Sequence, residues 1–409
     1  MVRHPPGGPE GRPGQAAAIT PEQARLLLSD EGRSAVAFAL TLDLTDRLRA
    51  AEAVRPLGEL GRLALDQALL KRKALAKHPD GDRLWWTAEA LEQSTPRRVA
   101  EHHATRFGAE PVLDVGCSVG GDLLVLAGRA PAVGVDLDEA RLLLAQANVR
   151  SAGHDCLLVR ADATTLSPRG HVFADPARRG SGRRRFDPAA WSPPLGLVLS
   201  WPTTGLGVKV APGIDYDALP ASLEVEVVSL DGDVKEAVLW GGALRTGVAR
   251  TATLLPSGAT LTSRWGSPAA DSRAESSAGD PQPRVAEPGR FVLDPDGAVV
   301  RAHLVAELAD QLGGWLLDST IAYVSADAAP FTPYGRWLEV LETLPFSLKG
   351  LRERLRAYDA GPLVVKKRGT AVEPETLRKQ LKLTGGTEVT VILTRSQGRQ
   401  IAMVVRPVT

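Results

Sequence analysis

The chain has 409 residues, a formal net charge of +1 and 44% apolar residues, which predicts an ordinary globular protein of two or three domains and leaves its class of partner open. Its two cysteines, Cys117 and Cys156, exclude a disulfide framework and a zinc site built mainly from cysteine. No apolar run is long enough to span a membrane, and the Pro- and Gly-rich N-terminus has no secretory signal, so we expect a soluble cytoplasmic protein.

The first quarter of the chain is expected to be helical. Residues 1–16 are dominated by Pro and Gly and predict a disordered tail. A Thr-Pro-Glu-Gln sequence that starts at Thr20 predicts the first helix, and helical patterns continue through a region spanning residues 17–107. We expect Trp85 and Trp86 to pack between this region and the next domain, with stacking on a substrate as the alternative.

Strands and helices alternate after Pro111, and this alternation predicts a parallel, doubly wound sheet in a domain spanning residues 108–265. The first predicted strands are Pro111–Val115, Ala132–Val135, Cys156–Val159 and His171–Ala174. The helices predicted between them are Asp122–Gly128 and Glu139–Ser151. Later strands are expected at Leu195–Ser200, Leu223–Ser229 and Ala237–Trp240, followed by a hairpin made from Arg250–Leu254 and Ala259–Thr262.

A composition change separates the last part of the chain. Residues 266–286 contain few large apolar side chains and predict a flexible linker, after which residues 287–409 form a second α/β segment. The helices predicted there are Val299–Leu312, Tyr334–Leu341, Leu348–Tyr358 and Pro374–Leu381. The strands predicted there are Leu363–Lys366, Glu388–Leu393 and Ile401–Val405.

The loop after the first strand carries the most informative motif. Gly116 and Gly120 lie there in a G-x-x-x-G pattern between a strand and a helix, where glycine lets the backbone approach a ligand that a Cβ atom would exclude. The pattern fits neither the G-x-G-x-x-G loop of dinucleotide enzymes nor the G-K-[ST] of a P-loop. S-adenosylmethionine carries no phosphate, so its loop needs close approach rather than an anion-binding nest.

Two carboxylates follow at the ends of the next strands. Asp136 lies 20 residues after Gly116 and can accept both hydroxyls of a ribose, and Asp162 can accept a hydrogen bond from an adenine amino group. Three such elements in order predict an S-adenosylmethionine site, because reading them as plain turn residues requires three coincidences. The residues predicted to bind this cofactor are Asp114, Gly116, Cys117, Gly120, Asp136, Leu137, Asp162 and Ala163.

Residues 111–176 resemble the class I methyltransferases in these ordered motifs. The resemblance implies a Rossmann-like fold with S-adenosylmethionine as cofactor. It also implies that Asp114 and Gly116 contact the methionine end, Asp136 the ribose and Asp162 the adenine.

The fourth predicted strand ends in Asp175-Pro176-Ala177-Arg178. Methyltransferases of nucleobase nitrogens carry [DN]-P-P-[YFW] at this point and uracil-C5 enzymes carry D-P-P-R-x-G, so Ala177 departs from both patterns. C5 methylation needs a thiolate nucleophile, and no cysteine follows Cys156. We therefore predict that Asp175, with Pro176, serves an exocyclic amine or ring nitrogen by accepting its N–H, with a helix cap or turn as the alternative role. The stacking aromatic then has to come from elsewhere, for example from Phe186, Trp191 or Trp201.

Basic residues predict how a substrate is held. Five arginines between residues 178 and 185 predict a mobile loop that contacts phosphate, with a solvated surface loop as the alternative. Lys209 lies in an apolar strand and either faces the substrate or pairs with an acid. The residues predicted to bind substrate are Arg178, Arg179, Arg183, Lys209, Lys366, Lys367 and Arg368.

Residues 288–409 resemble the C-terminal THUMP-like domain of a bacterial family that joins it to a methyltransferase domain. The matching stretches are Glu287–Arg290, Val300–Ala302, Trp337–Val340, Leu344–Ser347 and Val365–Gly369. THUMP domains belong to RNA-modifying enzymes, so the resemblance implies RNA, either tRNA or rRNA, as the partner. Further basic residues there fit this, with a solvated face as the alternative: Lys349, Arg352, Arg354, Arg356, Arg378, Lys379 and Lys382.

The sequence thus predicts an α/β protein with an N-terminal helical region, a class I methyltransferase sheet and a C-terminal α+β THUMP-like domain. We expect it to methylate a base nitrogen of RNA by direct in-line transfer, driven mainly by positioning and without a metal. The alternatives are a methyltransferase for a protein or small metabolite, and a catalytically idle RNA-binding protein that keeps the fold.

Overall fold

Helices occupy the N-terminal quarter of the chain, as the sequence predicts. The computed structural model describes residues 18–177, 179–180, 183–184, 187–216, 218–264 and 284–408, so the expected tail and most of the expected linker lie outside the described residues. The N-terminal helices are α1 Pro21–Leu28, α2 Asp30–Thr41, α3 Arg47–Val54, α4 Gly58–Ala74, α5 Ala88–Gln93 and α6 Arg97–Ala104. None of the helices in the described ranges combines the length and the apolar character needed to cross a bilayer.

The start of α1 shows why the chain turns helical at this point. The Thr20 side chain accepts a hydrogen bond from the Gln23 backbone at 3.2 Å, and the Gln23 side chain accepts one from the Thr20 backbone at 3.1 Å. Pro21 occupies the first helical position, where a missing N–H costs nothing. This reciprocal capping box satisfies N–H groups that the first helical turn cannot.

Trp85 and Trp86 are buried, with 4% and 1% of their surfaces exposed. The backbone N–H of Trp85 donates to the side chain of Asn148 at 2.7 Å, and the Trp86 indole donates to the carbonyl of Gly81 at 2.9 Å. Both rings are therefore buried, and the Trp85 backbone bonds Asn148 of the following domain, which supports packing between the two regions over stacking on a substrate.

A parallel sheet forms the centre of the first of two compact units, which holds the described residues up to 209 together with 242–244. Its strands are β1 Val112–Val115, β2 Ala132–Asp136, β3 Leu157–Arg160, β4 His171–Ala174 and β7 Gly205–Val210, in the order β7-β4-β1-β2-β3. The two-residue strands β5 Arg179–Gly180 and β6 Arg183–Arg184 pair only with each other. The helices of this part are α7 Gly121–Ala127, α8 Glu139–Ser151 and α9 Leu195–Leu199.

The register of this sheet brings the predicted motifs to one edge. Val115 at the end of β1 pairs with Val135 on one side and with Ala174 on the other. The loops that follow β1, β2 and β4 therefore emerge side by side at the carboxyl ends of the strands, where α/β sheets bind ligands.

One strand expected in this region is wrong, because residues Leu195–Leu199 form the short helix α9. Leu195 and Val198 are buried three residues apart, which places them on one face of a helix. A short apolar run fits a strand and a buried helix equally well, so its sequence alone cannot decide between them.

The second compact unit holds the described residues of 210–241 and those from residue 245 onward. Its first strands are β8 Glu224–Leu230, β9 Asp233–Gly242, β10 Arg250–Leu255 and β11 Ala259–Thr262. Strands β10 and β11 pair antiparallel, which confirms the expected hairpin, while β8 pairs parallel with β10. The boundaries expected from the sequence at residues 107, 265 and 286 stay a proposal for the domain division.

A seven-stranded sheet dominates the rest of this unit, in the order β13-β14-β12-β15-β18-β17-β16. Its strands are β12 Phe291–Pro295, β13 Trp315–Leu316, β14 Val324–Ala326, β15 Gly335–Pro345, β16 Ala360–Lys367, β17 Thr387–Ser396 and β18 Arg399–Pro407. Its helices are α10 Gly297–Arg301, α11 Val305–Gln311, α12 Leu348–Ala357 and α13 Pro374–Leu381. The last two helices pack an apolar cluster against one face of the sheet through Leu351, Leu355, Leu377 and Leu381.

Two helices expected in this part need correction. The segment expected as helix Tyr334–Leu341 is strand β15, which pairs antiparallel with β12 and β18. Its apolar residues imitate a helical pattern because a β-bulge between Val340 and Glu342 breaks the alternation of the strand. The single helix expected over 299–312 is divided into α10 and α11, and His303 between them has a positive φ of 57°.

Candidate active site

The loop after β1 is drawn tightly against the loop after β4. Gly116 has a φ of +83°, and a Cβ atom built on it would lie 2.8 Å from the carbonyl oxygen of Asp175. The Gly116 N–H donates to Val135 at 2.8 Å, and the Asp175 N–H donates to Val115 at 3.0 Å. Only glycine suits both the left-handed backbone and this close approach.

The second glycine of the motif begins the following helix. Gly120 has a φ of +86°, caps α7 and donates its N–H to the Cys117 carbonyl at 2.8 Å. Cys117 is 5% exposed, and burial raises the pKa of its thiol well above the ordinary value, so it remains a neutral thiol. Among the described residues, the buried hydroxyl of Ser118 has no hydrogen-bond partner.

Asp136 organises the same loop from the end of β2. Its Oδ2 accepts from the Ser118 N–H and its Oδ1 from the Asp138 N–H, both at 2.9 Å. A carboxylate oxygen has two lone pairs, so each oxygen can accept one further hydrogen bond. The apolar side chain of Leu137 follows and is 63% exposed, although burial is the usual state of a leucine.

Asp162 lies after β3, where it begins the turn Ala163–Thr165. Its Oδ1 accepts from the backbone N–H and the hydroxyl of Thr164, both at 2.8 Å. The hydrogen bonds from the Thr164 backbone and then its hydroxyl lower the pKa of Asp162 below its ordinary value, so this exposed carboxylate is ionised.

Asp114 is a buried member of the predicted cofactor site, with 2% of its surface exposed. Its Oδ2 has no hydrogen-bond partner among the described residues. Burial, and then the neighbouring Asp122 and Asp175, raise the pKa of Asp114 well above its ordinary value. An unpartnered buried carboxyl is costly, so this oxygen is suited to a ligand that donates to it, such as an ammonium group.

Asp175 at the end of β4 forms an ion pair with Lys209 on β7. The Lys209 Nζ lies 2.7 Å from Asp175 Oδ2 and 2.8 Å from Thr95 Oγ1. The side chain of Lys209 is 5% exposed, whereas that of Asp175 is 29% exposed. Asp175 thus keeps an open side while its lysine partner is enclosed.

Thr95 and Asp122 complete this network, and neither was among the predicted site residues. Thr95 hydrogen-bonds the Asp122 carboxyl, whose pKa is raised mainly by burial while the nearby Lys209 opposes that rise. Asp122 stands next to the glycine motif in the sequence, so its position was a usable signal. Thr95 lies 114 residues from Lys209 and carries no local motif that could have revealed it.

The segment before Thr95 is fixed by the N-terminal helical region. Lys77 Nζ donates to the carbonyls of Leu91 at 3.0 Å and Glu92 at 2.8 Å, and His78 Nε2 lies 3.0 Å from the Ser94 hydroxyl. Burial, followed by the nearby Arg97, lowers the pKa of His78 to about 4, so this histidine is neutral at physiological pH. The helical region therefore builds one wall of the network around Asp175.

The aromatic and basic residues expected beside Asp175 are only partly described. Trp191 and Trp201 are buried, at 4% and 6% exposure, so neither presents an open ring face, and Phe186 lies outside the described residues. Arg178 also lies outside them, and for Arg179 and Arg183 the structure describes the backbone alone. Pro176 is buried, and the next residue, Ala177, exchanges two backbone hydrogen bonds with Ser192, which fixes the loop after Asp175.

The predicted C-terminal cluster is already engaged within its own unit. Lys366 and Arg368 pair with Asp294 at 2.7 and 2.9 Å, and Lys367 pairs with Glu373 at 2.6 Å. The Arg368 guanidinium also lies 4.7 Å above the Tyr323 ring centre. Carboxylates of the same unit therefore neutralise these three positive charges, which makes the three side chains less suited to bind phosphate.

Comparisons with known proteins agree on both parts of the chain. A family model described as a methyltransferase domain matches residues 112–174, and one described as THUMP domain-like matches residues 335–407. An uncharacterized S-adenosylmethionine-dependent methyltransferase of Mycobacterium tuberculosis strain CDC 1551 / Oshkosh is 38% identical over 354 residues, which cover 83% of this chain and 94% of that protein. The equivalent protein of strain H37Rv matches to the same extent.

A solved structure extends the agreement to the fold. A crystal structure from Porphyromonas gingivalis W83, described there as that of a methyltransferase candidate, matches with a TM-score of 0.68 at 20% identity. The match covers 96% of this chain and 95% of that chain. At this identity the likeness concerns the fold alone.

Proposed function

The chain belongs to the S-adenosylmethionine-dependent methyltransferases that join a class I methyltransferase domain to a THUMP-like domain, and we propose that it methylates a base nitrogen of RNA. The observation that carries the proposal is the Asp175–Lys209 ion pair, which holds a half-open carboxylate beside the glycine loop. A carboxylate so placed can take the proton that a nitrogen loses when it is methylated.

The residues around the glycine loop fit the cofactor. Asp114, with its unpartnered Oδ2, suits the methionine ammonium group, and Gly116 lets the loop after β1 pack closely against Asp175. The free lone pairs of Asp136 suit the ribose hydroxyls. The exposed apolar side chain of Leu137 suits a face of the adenine ring, and the ionised Asp162 suits the adenine amino group. Cys117, Gly120 and Ala163 contribute backbone and small side chains to the same cradle.

Asp175 is the proposed proton acceptor. When bound, S-adenosylmethionine supplies an electrophilic methyl group on a sulfonium and departs as a neutral thioether. As the new N–C bond forms and the C–S bond breaks, the acceptor nitrogen gives up its N–H proton, and the Asp175 carboxylate accepts it. Pro176 keeps this carboxylate aimed by restricting the backbone, since proline fixes φ.

Lys209 is assigned to positioning Asp175 rather than to contacting RNA. Its ammonium group is enclosed and donates hydrogen bonds to Asp175 and Thr95. Of the two roles open from the sequence, pairing with an acid is therefore the better supported. A buried ammonium also offsets the repulsion among Asp114, Asp122 and Asp175, which together raise one another's energy when ionised.

RNA is proposed as the substrate because the C-terminal part matches a THUMP-like domain and because arginines follow the catalytic segment. Arg178, Arg179 and Arg183 are proposed to contact phosphate beside the reacting base, in either tRNA or rRNA. The base nitrogen is favoured over a pyrimidine carbon because no cysteine nucleophile follows Cys156.

The proposal is tested by following a labelled methyl group from S-adenosylmethionine. The purified full chain is incubated with total RNA and, separately, with protein extract and a metabolite fraction. We expect label in RNA that is released by nuclease and retained on the base rather than the ribose. Label in protein or metabolites alone would favour another substrate class. Cofactor binding with no transfer to any fraction would favour the catalytically idle alternative.

A further inference from the structure

The structure divides the basic residues of α12 and α13, together with Lys382 just after α13, into paired and unpaired groups. Arg354 pairs with Glu342 at 2.7 Å, and Arg378 pairs with Glu375. Four others are exposed and make no side-chain hydrogen bond or ion pair with the described residues: Lys349, Arg356, Lys379 and Lys382.

Three basic residues of α12 lie on one side of the helix. Leu351 and Leu355 are fully buried and fix which side of the helix faces the sheet. Lys349, Arg352 and Arg356 recur at spacings of three and four residues, so they form one stripe away from those leucines. Glu353 is an exposed acid beside this stripe, and it leaves the stripe with an excess of positive charge.

The same arrangement occurs on α13, and one contact joins the two helices. Leu377 and Leu381 are buried, while Lys379 and Lys382 are exposed near the C-terminal end of the helix. Arg352 Nη2 donates to the carbonyl of Gln380 at 2.6 Å, which places the α12 stripe next to those lysines. The resulting surface is called the helical basic face and consists of Lys349, Arg352, Arg356, Lys379 and Lys382.

We propose that the helical basic face binds the phosphate backbone of RNA, in place of the cluster Lys366–Arg368. This rests on the proposed function, in which RNA is the substrate. A phosphate that approached Lys366 or Arg368 would have to compete with the carboxylate of Asp294, which already holds both. The four exposed cations of the helical basic face, which are all of its residues except Arg352, pair with no described residue. A phosphate that binds them displaces only water and counterions, which is the condition under which phosphate contacts gain affinity from counterion release.

The chemistry of the face also sets what it recognises. Exposed, flexible cationic side chains favour contacts with phosphates, and such contacts carry no sequence information. The face should therefore bind RNA of many sequences with similar affinity, and the selection of the nucleotide is left to the region around Asp175. Each phosphate contact contributes about 0.7 to the slope of log affinity against log salt for a single strand.

The test uses the full chain carrying Lys349→Gln, Arg356→Gln, Lys379→Gln and Lys382→Asn. Asparagine is chosen at the last position because Lys382 has a left-handed backbone with a φ of +51°, which asparagine tolerates. All four side chains are exposed and unpaired, so the fold should survive, and retained affinity for S-adenosylmethionine checks that it does. A labelled single-stranded RNA is titrated over a range of salt concentrations.

A matched control removes the same number of positive charges elsewhere. Arg47→Gln, Arg55→Gln, Lys73→Gln and Arg83→Gln are combined, since these side chains are also exposed and unpaired among the described residues. We expect the first variant to weaken RNA binding by about tenfold or more and to lower the salt slope by up to about 3, while the control stays close to wild type. A double variant, Lys379→Gln with Lys382→Asn, should lose about half of that slope.

The outcomes separate this inference from the proposed function. If wild type binds RNA and both four-residue variants keep its affinity and salt slope, the helical basic face is not the phosphate site, although RNA remains the substrate. If both variants weaken equally, only overall charge matters and the inference is overturned. If wild type itself neither binds nor methylates RNA, the proposed function fails first and the inference fails with it.

Discussion

Lys209 Nζ lies 2.7 Å from Asp175 Oδ2, and the lysine is almost completely enclosed while the aspartate stays partly open. A buried ammonium group that donates to a half-open carboxylate fixes the direction of that carboxylate. The pair joins β7 to the end of β4, so the segment that carries Asp175 is held by the sheet itself. The first three predictions follow from this pair and its surroundings.

Replacing Asp175 by Asn should abolish most methyl transfer without disturbing the cofactor site. Asparagine keeps the shape but cannot take a proton, and loss of a general base typically costs 10²–10⁴-fold in rate. Steady-state transfer to RNA measures the loss, and calorimetry with S-adenosylhomocysteine checks that affinity is retained. Transfer at the wild-type rate would remove Asp175 from the mechanism.

Lys209→Met should slow transfer on the order of a hundredfold, because Asp175 loses the partner that positions it. The loss should fall on kcat, while the affinity for S-adenosylhomocysteine, measured by calorimetry, stays near that of wild type. A loss of cofactor affinity and of the free energy of unfolding that matches the loss of rate would argue that Lys209 is merely structural.

Thr95 allows a matched pair of substitutions. Thr95→Ser keeps the hydroxyl that accepts from Lys209, whereas Thr95→Val replaces it with a methyl group of similar size. We expect Thr95→Val to lower the free energy of unfolding by about 1–3 kcal/mol and to slow transfer, since it leaves buried polar groups unpaired. Thr95→Ser should stay near wild type in both, and equal behaviour of the two variants would exclude the hydroxyl from the network.

Asp114 links cofactor binding to pH. Its pKa is raised in the folded protein above the ordinary value of 3.8, so the folded state holds a proton that the unfolded state releases. Stability therefore falls as the pH rises above that ordinary value, and Asp114→Asn should remove this loss in the ligand-free protein. The same variant should bind S-adenosylmethionine roughly ten- to a hundredfold more weakly, as expected for a lost charge-assisted hydrogen bond.

Denaturant unfolding over a range of pH measures the first effect, and calorimetry measures the second. If Asp114→Asn is no more stable than wild type at alkaline pH and binds the cofactor equally well, Asp114 is not the buried acid that receives the ammonium group.

Gly116 and Gly153 form a control pair for close packing in the cofactor loop. Both have a positive φ, of 83° and 78°, but a Cβ atom at Gly116 would meet Asp175 at 2.8 Å while one at Gly153 would meet nothing within 4 Å. Each Gly→Ala change should cost about 1–2 kcal/mol of backbone strain. Gly116→Ala should cost roughly 1–3 kcal/mol more and lose cofactor binding, because the site is overpacked. Equal free energies of unfolding would contradict the close approach of the two loops.

The sequence predicted the parts of the fold that are built from local pattern. The strands β1 to β4 and the helices α7 and α8 alternate in short, regular steps, and their ends carry Gly116, Asp136 and Asp162 in readable order. Prediction failed at α9 and β15, where short apolar runs suit both helix and strand and pairing with distant strands decides the outcome.

The network of Asp175, Lys209 and Thr95 shows the same division between local and distant information. The position of Asp175 just after β4 was predictable, because an apolar run ends there next to a proline. Thr95 was not, because its role depends on contact with Lys209 on a strand far along the chain. The pairing of Lys366 and Arg368 with Asp294 also depends on a contact between distant parts of the chain, so the sequence did not reveal it. The basic run 366–368 therefore carries less free positive charge than its sequence indicates.

The most direct test of the central claim is mass spectrometry of nucleosides in RNA from cells that lack this protein. We predict that one base-methylated nucleoside is missing from that RNA, that purified wild-type protein with S-adenosylmethionine restores it, and that Asp175→Asn does not. If the nucleosides are the same with and without the protein, and the wild type adds no methyl group to the deletion-strain RNA, this protein is not an RNA base methyltransferase.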